Sequence, residues 1–338
     1  MSRDLFGDDS HYYSEPYIPE RESGERWDTP LENRIRQLLT SQQADVRERI
    51  EQACKQANLA IREYLRSETA LKLSQAERRQ TVPYQVVDGI PRSLAYKLED
   101  LPDPILLLLL QKRQLLKQGE SALQLTVNNY GEILQVLGAK DAGEKNALKT
   151  SGEFIHNILK KLDSFKLPDL IREIDEDVLG AYFFRVPAIQ IYWMPIAMVA
   201  GILDVSAEDL SFVVLAHELA HAYTHVGLDI DGVQWDTEEF ARTSKMIVEG
   251  LAQFYTESIC NKYANRQPDI FKAFELLLEK QPEPYTHFKE WTKEHVSEVV
   301  RFSMISARSN NIREYDHFLY EMNEIEKRIR VKQKPKRH

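Results

Sequence analysis

Cysteine is almost missing from this chain: there are 2 among 338 residues. Cys54 and Cys260 lie far apart in helix-like stretches, and neither belongs to a C-x-x-C pair. That excludes a disulfide framework and a thiolate metal knuckle, and it suits a reducing compartment. Both are expected to be small buried apolar residues. Glycine (13) and proline (14) are scarce as well, which leaves little of the punctuation that turn-rich folds need. Long apolar runs are missing. The longest, Ile105–Leu110, falls far short of the roughly 20 residues that cross a bilayer. Met1–Asp9 carries no apolar core of the kind a secretory signal requires. We therefore expect a cytoplasmic protein with no membrane partner. An excess of positive charge is missing too: the formal net charge is −9, which disfavours nucleic acid as a partner.

Leu, Glu, Lys, Arg, Gln and Ala dominate, and these are helix formers. Hydrophobic residues at 43% and charged residues at 29% make a globular balance. Residues 1–28 are polar, acidic and without hydrophobic period, and read as a mobile tail. A long amphipathic helix is expected from Thr29-Pro30 to about Arg79, with a break possible near Ser67–Ser74. Leu39, Val46, Ala53 and Ala60 recur every seven residues, with Ile50, Ala57 and Tyr64 between them. Such a stripe needs a partner, either within the chain or on another copy or protein. Ile105–Leu116 should be a buried core helix, and 121–137 and 144–162 two more amphipathic helices, interrupted near Asn128–Gly131. Residues 29–165 thus read as a helical bundle or platform.

The texture changes near Lys166-Leu167-Pro168. Leu179–Pro187 is aromatic and favours β structure, and Ala188–Trp193 partly alternates before Pro195 ends it. These are the good strand candidates. Helices are expected again from about Met198 onward: the motif segment, Thr237 (as cap) to about Tyr263, Pro268–Glu279, Thr286–Ala307 and Asn311–Ile329. Residues 331–338 read as a basic tail. The fold expected is α+β and predominantly α-helical, with a small β-sheet in the part spanning 166–330.

Into this second part falls Val213-Val-Leu-Ala-His217-Glu218-Leu-Ala-His221. On a helix, residues four apart lie on one face, so His217 and His221 can offer two imidazoles to one ion. Glu218 points beside them, where it can reach a water. That is the physical content of the zinc-protease H-E-x-x-H. Ser206, followed by Glu208 and Asp209, caps this helix. Two histidines leave a tetrahedral zinc short of ligands. His225, Asp229, Asp231, Glu238, Glu239, Glu249 and Glu257 are the candidates for a third. On a continuous helix His225 lies about 12 Å along the axis from His217, so it is better placed to line the cleft or support a ligand. Glu249 is preferred, because its helix follows a loop long enough to fold back. Gly250 and Ala252 are expected to let that helix approach the first.

His217-Glu-Leu-Ala-His221, followed by Glu249-Gly-Leu-Ala, resembles the gluzincin branch of zincin metallopeptidases over roughly residues 180–260. The resemblance to IrrE-type intracellular peptidases is confined to the H-E-L-A-H run. The gluzincin resemblance implies a zincin-like domain with a motif helix, a glutamate helix and an antiparallel edge strand that binds substrate in extended form. It implies Zn2+ held by His217, His221 and Glu249, and Glu218 as general base. It also implies an oxyanion donor from a downstream helix. Tyr255, His287, His295, Arg308, Tyr315 and His317 are candidates, with Tyr315 and His317 preferred. The chain departs from the family pattern in a longer loop between ligands and in Gln253, where an acid usually orients a ligand histidine. Gln253 or Glu257 would have to serve instead. No metzincin extension is present.

The function expected is therefore zinc-dependent hydrolysis of a protein or peptide substrate of narrow scope. The strand at Ile189–Trp193 would pair with it. Two alternatives stand beside this. One is a non-catalytic interaction protein that works through its long helix and has a metal-stabilised scaffold. The other is a zinc amidohydrolase acting on a non-protein amide.

Overall fold

The computed structural model describes residues 29–40, 45–73, 82–90, 98, 113–137, 142–164 and 178–333. The tail expected at 1–28, the apolar run at 105–110 and the basic end at 334–338 lie outside them. Helix α1 (Thr29–Thr40) and helix α2 (Val46–Thr69) take the place of one long helix. α2 stops at Ala70, which is left-handed at φ 57°. Thr69 Oγ1 closes the end by donating to Leu65 O and accepting from Leu71 N. The buried face of α2 is Val46, Ile50, Cys54, Ala57, Ile61 and Leu65. It follows the 3.6 period of a straight helix, not the seven-residue seam of a coiled coil.

Strand β1 (Tyr84–Val87) follows, and the sequence patterning did not single it out. Helices α3 (Arg113–Asn128), α4 (Tyr130–Leu137) and α5 (Ala142–Ser164) come next, with the break at Asn129. Strands β2 (Gly180–Phe183) and β3 (Ala188–Tyr192) form a three-stranded sheet with β1, in the order β1-β3-β2. β1 runs parallel to β3 (Tyr84 opposite Ile189) and β2 antiparallel (Phe183 opposite Ala188). β3 is therefore central and saturated on both sides. The strand expected to receive a substrate has no edge to offer, and β2 holds the outer position instead.

Helix α6 (Trp193–Leu203) starts on the last residue before Met194-Pro195; proline is tolerated in a first turn, where its missing N–H costs nothing. Helix α7 (Ala207–Val226) carries the motif. Ser206 caps it as expected, its Oγ accepting from Asp209 N at 2.9 Å. α7 is buried on every side from Leu210 to His225. At its end Gly227 has an ordinary φ of −64°. A side chain there would lie 2.3 Å from Tyr223 O and 2.9 Å from Leu71 Cβ, so close approach, not handedness, requires the glycine. Helix α8 (Thr237–Arg242) is capped by Asp236, not Thr237, through bonds from Glu238 N and Glu239 N. The chain breaks at Thr243-Ser244 before helix α9 (Lys245–Ala264). Helices α10 (Pro268–Leu278), α11 (Glu283–Thr286), α12 (Phe288–Glu294), α13 (Ser297–Asn310) and α14 (Tyr315–Gln333) complete the chain.

α7 is the axis of the molecule. α2 lies along one side of it, α9 and α10 along another, and the sheet covers a third. Tyr223 Oη donates to Arg62 O at 2.8 Å, and Arg49 pairs with Glu208 at 2.9 Å. The pair is half-exposed and worth at most about 1 kcal/mol, whereas each buried aliphatic of the α2 stripe contributes about 1.5–3 kcal/mol. Apolar packing decides the contact. One buried cluster runs from Leu31 and Ile50 through Leu215 to Phe318, with residues from 31–98 and from 178–325. The stripe on α2 finds its partner in the motif helix of the same chain. Cys54 and Cys260 are free and buried, as expected. No helix among the described residues is long and apolar enough to cross a membrane.

Candidate metal centre

His217 and His221 sit one turn apart on α7, with ring centroids 4.6 Å apart and planes nearly perpendicular. Their Nε2 atoms are 3.1 Å apart. Glu249, in the first turns of α9, brings Oε2 to 3.2 Å from each of them. The three atoms form an almost equilateral triangle. Donors around a tetrahedral zinc with bonds of about 2.0–2.1 Å are separated by about 3.3 Å, so this triangle has the size of one face of such a tetrahedron. Among the described residues it is the group of His, Cys, Asp and Glu side chains able to hold a metal ion.

The protein's own hydrogen bonding fits a cation there. Two imidazole nitrogens that both face one carboxylate oxygen, and each other, make a poor hydrogen-bonded set, because two N–H groups would converge. A divalent ion at their common focus satisfies all three donors. Burial alone would raise the Glu249 carboxyl pKa. The charge on His221 and the hydrogen bonds from both histidines overcome this and hold it well below the usual carboxylate range.

The other third-ligand candidates are committed elsewhere. Asp229 Oδ1 accepts from Asp231 N and Val233 N, closing the turn after α7. Asp231 and Glu238 are exposed. Glu239 pairs with Arg313, which holds its pKa down. Glu257 pairs with Lys289, so it does not orient a ligand histidine. His225 is fully buried, not a surface residue. Its Nδ1 lies 2.9 Å from Tyr182 Oη, and its ring stacks on Phe240 with centroids 4.4 Å apart. Tyr182 in turn lies parallel to His221, with centroids 6.4 Å apart and 8° between planes. His225 is thus connected to His221 through Tyr182.

Glu218 is 2% exposed and faces β2. A Cβ added to Gly180 would stand 3.1 Å from Glu218 Oε1 and 2.8 Å from Val214 Cγ1. An open cleft borders His217 and Glu218. It is lined by the apolar Val178–Gly180, Val213, Val214 and Leu277 and by Gln253, Lys280, Gln281, Pro282 and Tyr285. Tyr285 leans over His217, with ring centroids 5.8 Å apart and 30° between planes.

Tyr315 and His317 do not line this cleft. Tyr315 Oη accepts from Trp291 Nε1 at 2.9 Å, and its ring meets His287 edge-on. His317 is exposed on α14. Of the other oxyanion candidates, Tyr255 Oη donates to Met304 Sδ, and His295 faces Glu326. Arg308 is buried and donates to Gly227 O and Val233 O, clamping the loop behind α7. Gly250 does not ease the approach of α9 to α7. A Cβ there would meet Trp291 at 2.5 Å, so it makes room for that indole. Gln253 Nε2 donates to Gln281 Oε1 at 2.9 Å, tying the α10–α11 turn to α9. His217 Nδ1 is buried with no hydrogen-bond partner among the described residues. Tyr285, Lys280 and Tyr182 carried no signal in the sequence, because nothing local distinguishes a tyrosine or lysine that folds back from 40–70 residues away. The chain matches no family model, no curated protein and no solved structure.

Proposed function

We propose that the chain is a zinc-dependent peptidase of the gluzincin-like kind. His217, His221 and Glu249 would hold the ion, and Glu218 would be the general base. The observation that carries this reading is the triangle of His217 Nε2, His221 Nε2 and Glu249 Oε2, with sides of 3.1–3.2 Å, beside a buried carboxylate that a purely structural site would not need. When bound, zinc supplies Lewis-acid polarisation of a carbonyl and a lowered pKa for water.

This chain's residues do the rest. Glu218, one position after the first ligand, faces the cleft and takes a proton from the attacking water. It then returns that proton to the leaving amine. β2 has no strand on its outer side among the described residues. Its backbone can align an extended chain across Glu218 by adding a strand. Tyr285, leaning on His217, is better placed than Tyr315 or His317 to donate to a developing oxyanion.

The interaction-protein alternative would work through the long helix; the packing of the apolar face of α2 against α7 of the same chain favours the peptidase reading. Metal analysis with assays on an unstructured protein substrate tests the proposal. Wild type should bind one zinc per chain and cleave, and Glu218→Gln should keep the zinc and lose activity by at least about a hundredfold. Full activity in Glu218→Gln would refute the proposal.

A further inference from the structure

The cleft beside Glu218 is lined in large part by apolar residues, among them Val178, Val214 and Leu277. One cation, Lys280, is among its lining residues, and Glu218 is the one acid. The Lys280 ammonium has no carboxylate partner among the described residues. Yet the turn that carries it is held firmly. Lys280 N donates to Leu277 O, and Gln281 N to Leu278 O. Pro282 follows, and the Gln281 side chain is anchored to Gln253 on α9. Gln253, another lining residue, has a buried Oε1 with no partner among the described residues. A lysine on a free surface loop loses rotamer entropy when it binds anything. The backbone of Lys280 is instead held on a turn pinned to the helix that carries Glu249.

The geometry points to Lys280 as a specificity residue that reads a carboxylate on the substrate, with an apolar side chain of that substrate filling the pocket next to Glu218. This rests on the peptidase reading and gives it a substrate class: chains that present an apolar residue near the cleaved bond and a carboxylate close by. The carboxylate has two sources, a free C-terminus or an acidic side chain. The apolar wall strengthens the pairing, because a charge pair near low-dielectric surface is screened less than one in open water.

Three synthetic peptides test this on the full chain. One is acetyl-Ala-Leu-Phe-Ala as the free acid, one is its C-terminal amide, and one is the amide with Glu replacing the last Ala. Binding is measured by calorimetry to zinc-loaded Glu218→Gln protein, so that nothing is cleaved, with and without Lys280→Met or Lys280→Glu. Melting curves establish that the variants are folded. The expected result is that at least one carboxylate peptide binds about tenfold more tightly than the plain amide. That ratio should fall to about one in Lys280→Met and invert in Lys280→Glu. A preference for the free acid alone identifies a C-terminus as the source, and for the Glu peptide alone an acidic side chain. Equal binding of all three, or a preference that survives Lys280→Met, removes Lys280 as a specificity residue while leaving the peptidase reading intact. Absence of binding by every peptide to zinc-loaded protein overturns the peptide reading and this inference together.

Discussion

Gly180 and Glu218 are in contact across two elements that the sequence separates by thirty-eight residues. A Cβ on Gly180 would be 3.1 Å from Glu218 Oε1, 2.8 Å from Val214 Cγ1 and 3.2 Å from Gln190 O. Two of these neighbours, a β-branched helix residue and a strand carbonyl, cannot yield easily. Gly180→Ala is therefore expected to push β2 away from α7. It should cost about 1–3 kcal/mol of stability, as overpacking does, and lower kcat at least about tenfold through misplacement of Glu218. Zinc content should be unchanged. Thermal melting, metal analysis and steady-state kinetics check this; unaltered kinetics would mean that the sheet does not position Glu218.

Metal removal should be felt by the whole fold. His217, His221 and Glu249 join α7 to α9, two helices that contribute to the buried core. An ion that binds only the folded chain adds about 2.7 kcal/mol at a hundred times its dissociation constant. Chelator is expected to lower Tm by several degrees, and zinc to restore it. Glu249→Ala should melt at one temperature whether or not zinc is added. A zinc-induced rise that persists in Glu249→Ala would point to a different third donor.

Tyr315 supports the site from behind. It accepts a hydrogen bond from Trp291, and Trp291 fills the space that Gly250 leaves next to Glu249. Tyr315→Phe leaves that indole N–H without its acceptor and should cost about 1–3 kcal/mol, with kcat within about threefold of wild type. Gly250→Ala drives a methyl group into Trp291 and should be the more destabilising of the two. A hundredfold fall in kcat for Tyr315→Phe, with stability unchanged, would assign the hydroxyl to catalysis.

His225 makes stability depend on pH. Burial first, and then the charge of Arg308, lower its pKa from 6.5 to about 4. Below pH 6.5 the unfolded chain takes up this proton while the folded chain still refuses it. The contribution is thus fully present above about pH 6.5 and is lost as pH falls toward 4, by up to about 1.4 kcal/mol per pH unit. Urea titrations at pH 7, 6 and 5, with chelator present so that the ligand histidines behave alike, should show a steeper loss for wild type than for His225→Gln. Parallel losses would show that His225 titrates normally in the fold.

Much of the local structure could be read from the chain. The H-E-x-x-H spacing sets its two histidines on one face of α7, because a helix repeats every 3.6 residues whatever surrounds it. Ser206 with Glu208 and Asp209 marks where α7 begins, since capping is settled within four residues. The strands at 180–183 and 188–192, the break at Asn129 and the burial of both cysteines followed from composition in the same way. Glu249 was reached from loop length and donor chemistry, which name a candidate but not a distance. What the chain could not determine alone lay in contacts between distant segments. The seven-residue stripe on α2 does not say that its partner is α7, because an apolar face is equally content on any apolar surface. β3 looked like a receptive strand until β1, a short segment after Pro83, was found on its other side. Edge or centre is a property of the whole sheet and is written in no single strand. Tyr285 over His217, Lys280 in the cleft and Gly180 against Glu218 are likewise matters of tertiary geometry. The sequence by itself thus determined which residues can act on an ion and a water. Tertiary packing, which closes loops of thirty to seventy residues, decided which other side chains surround them.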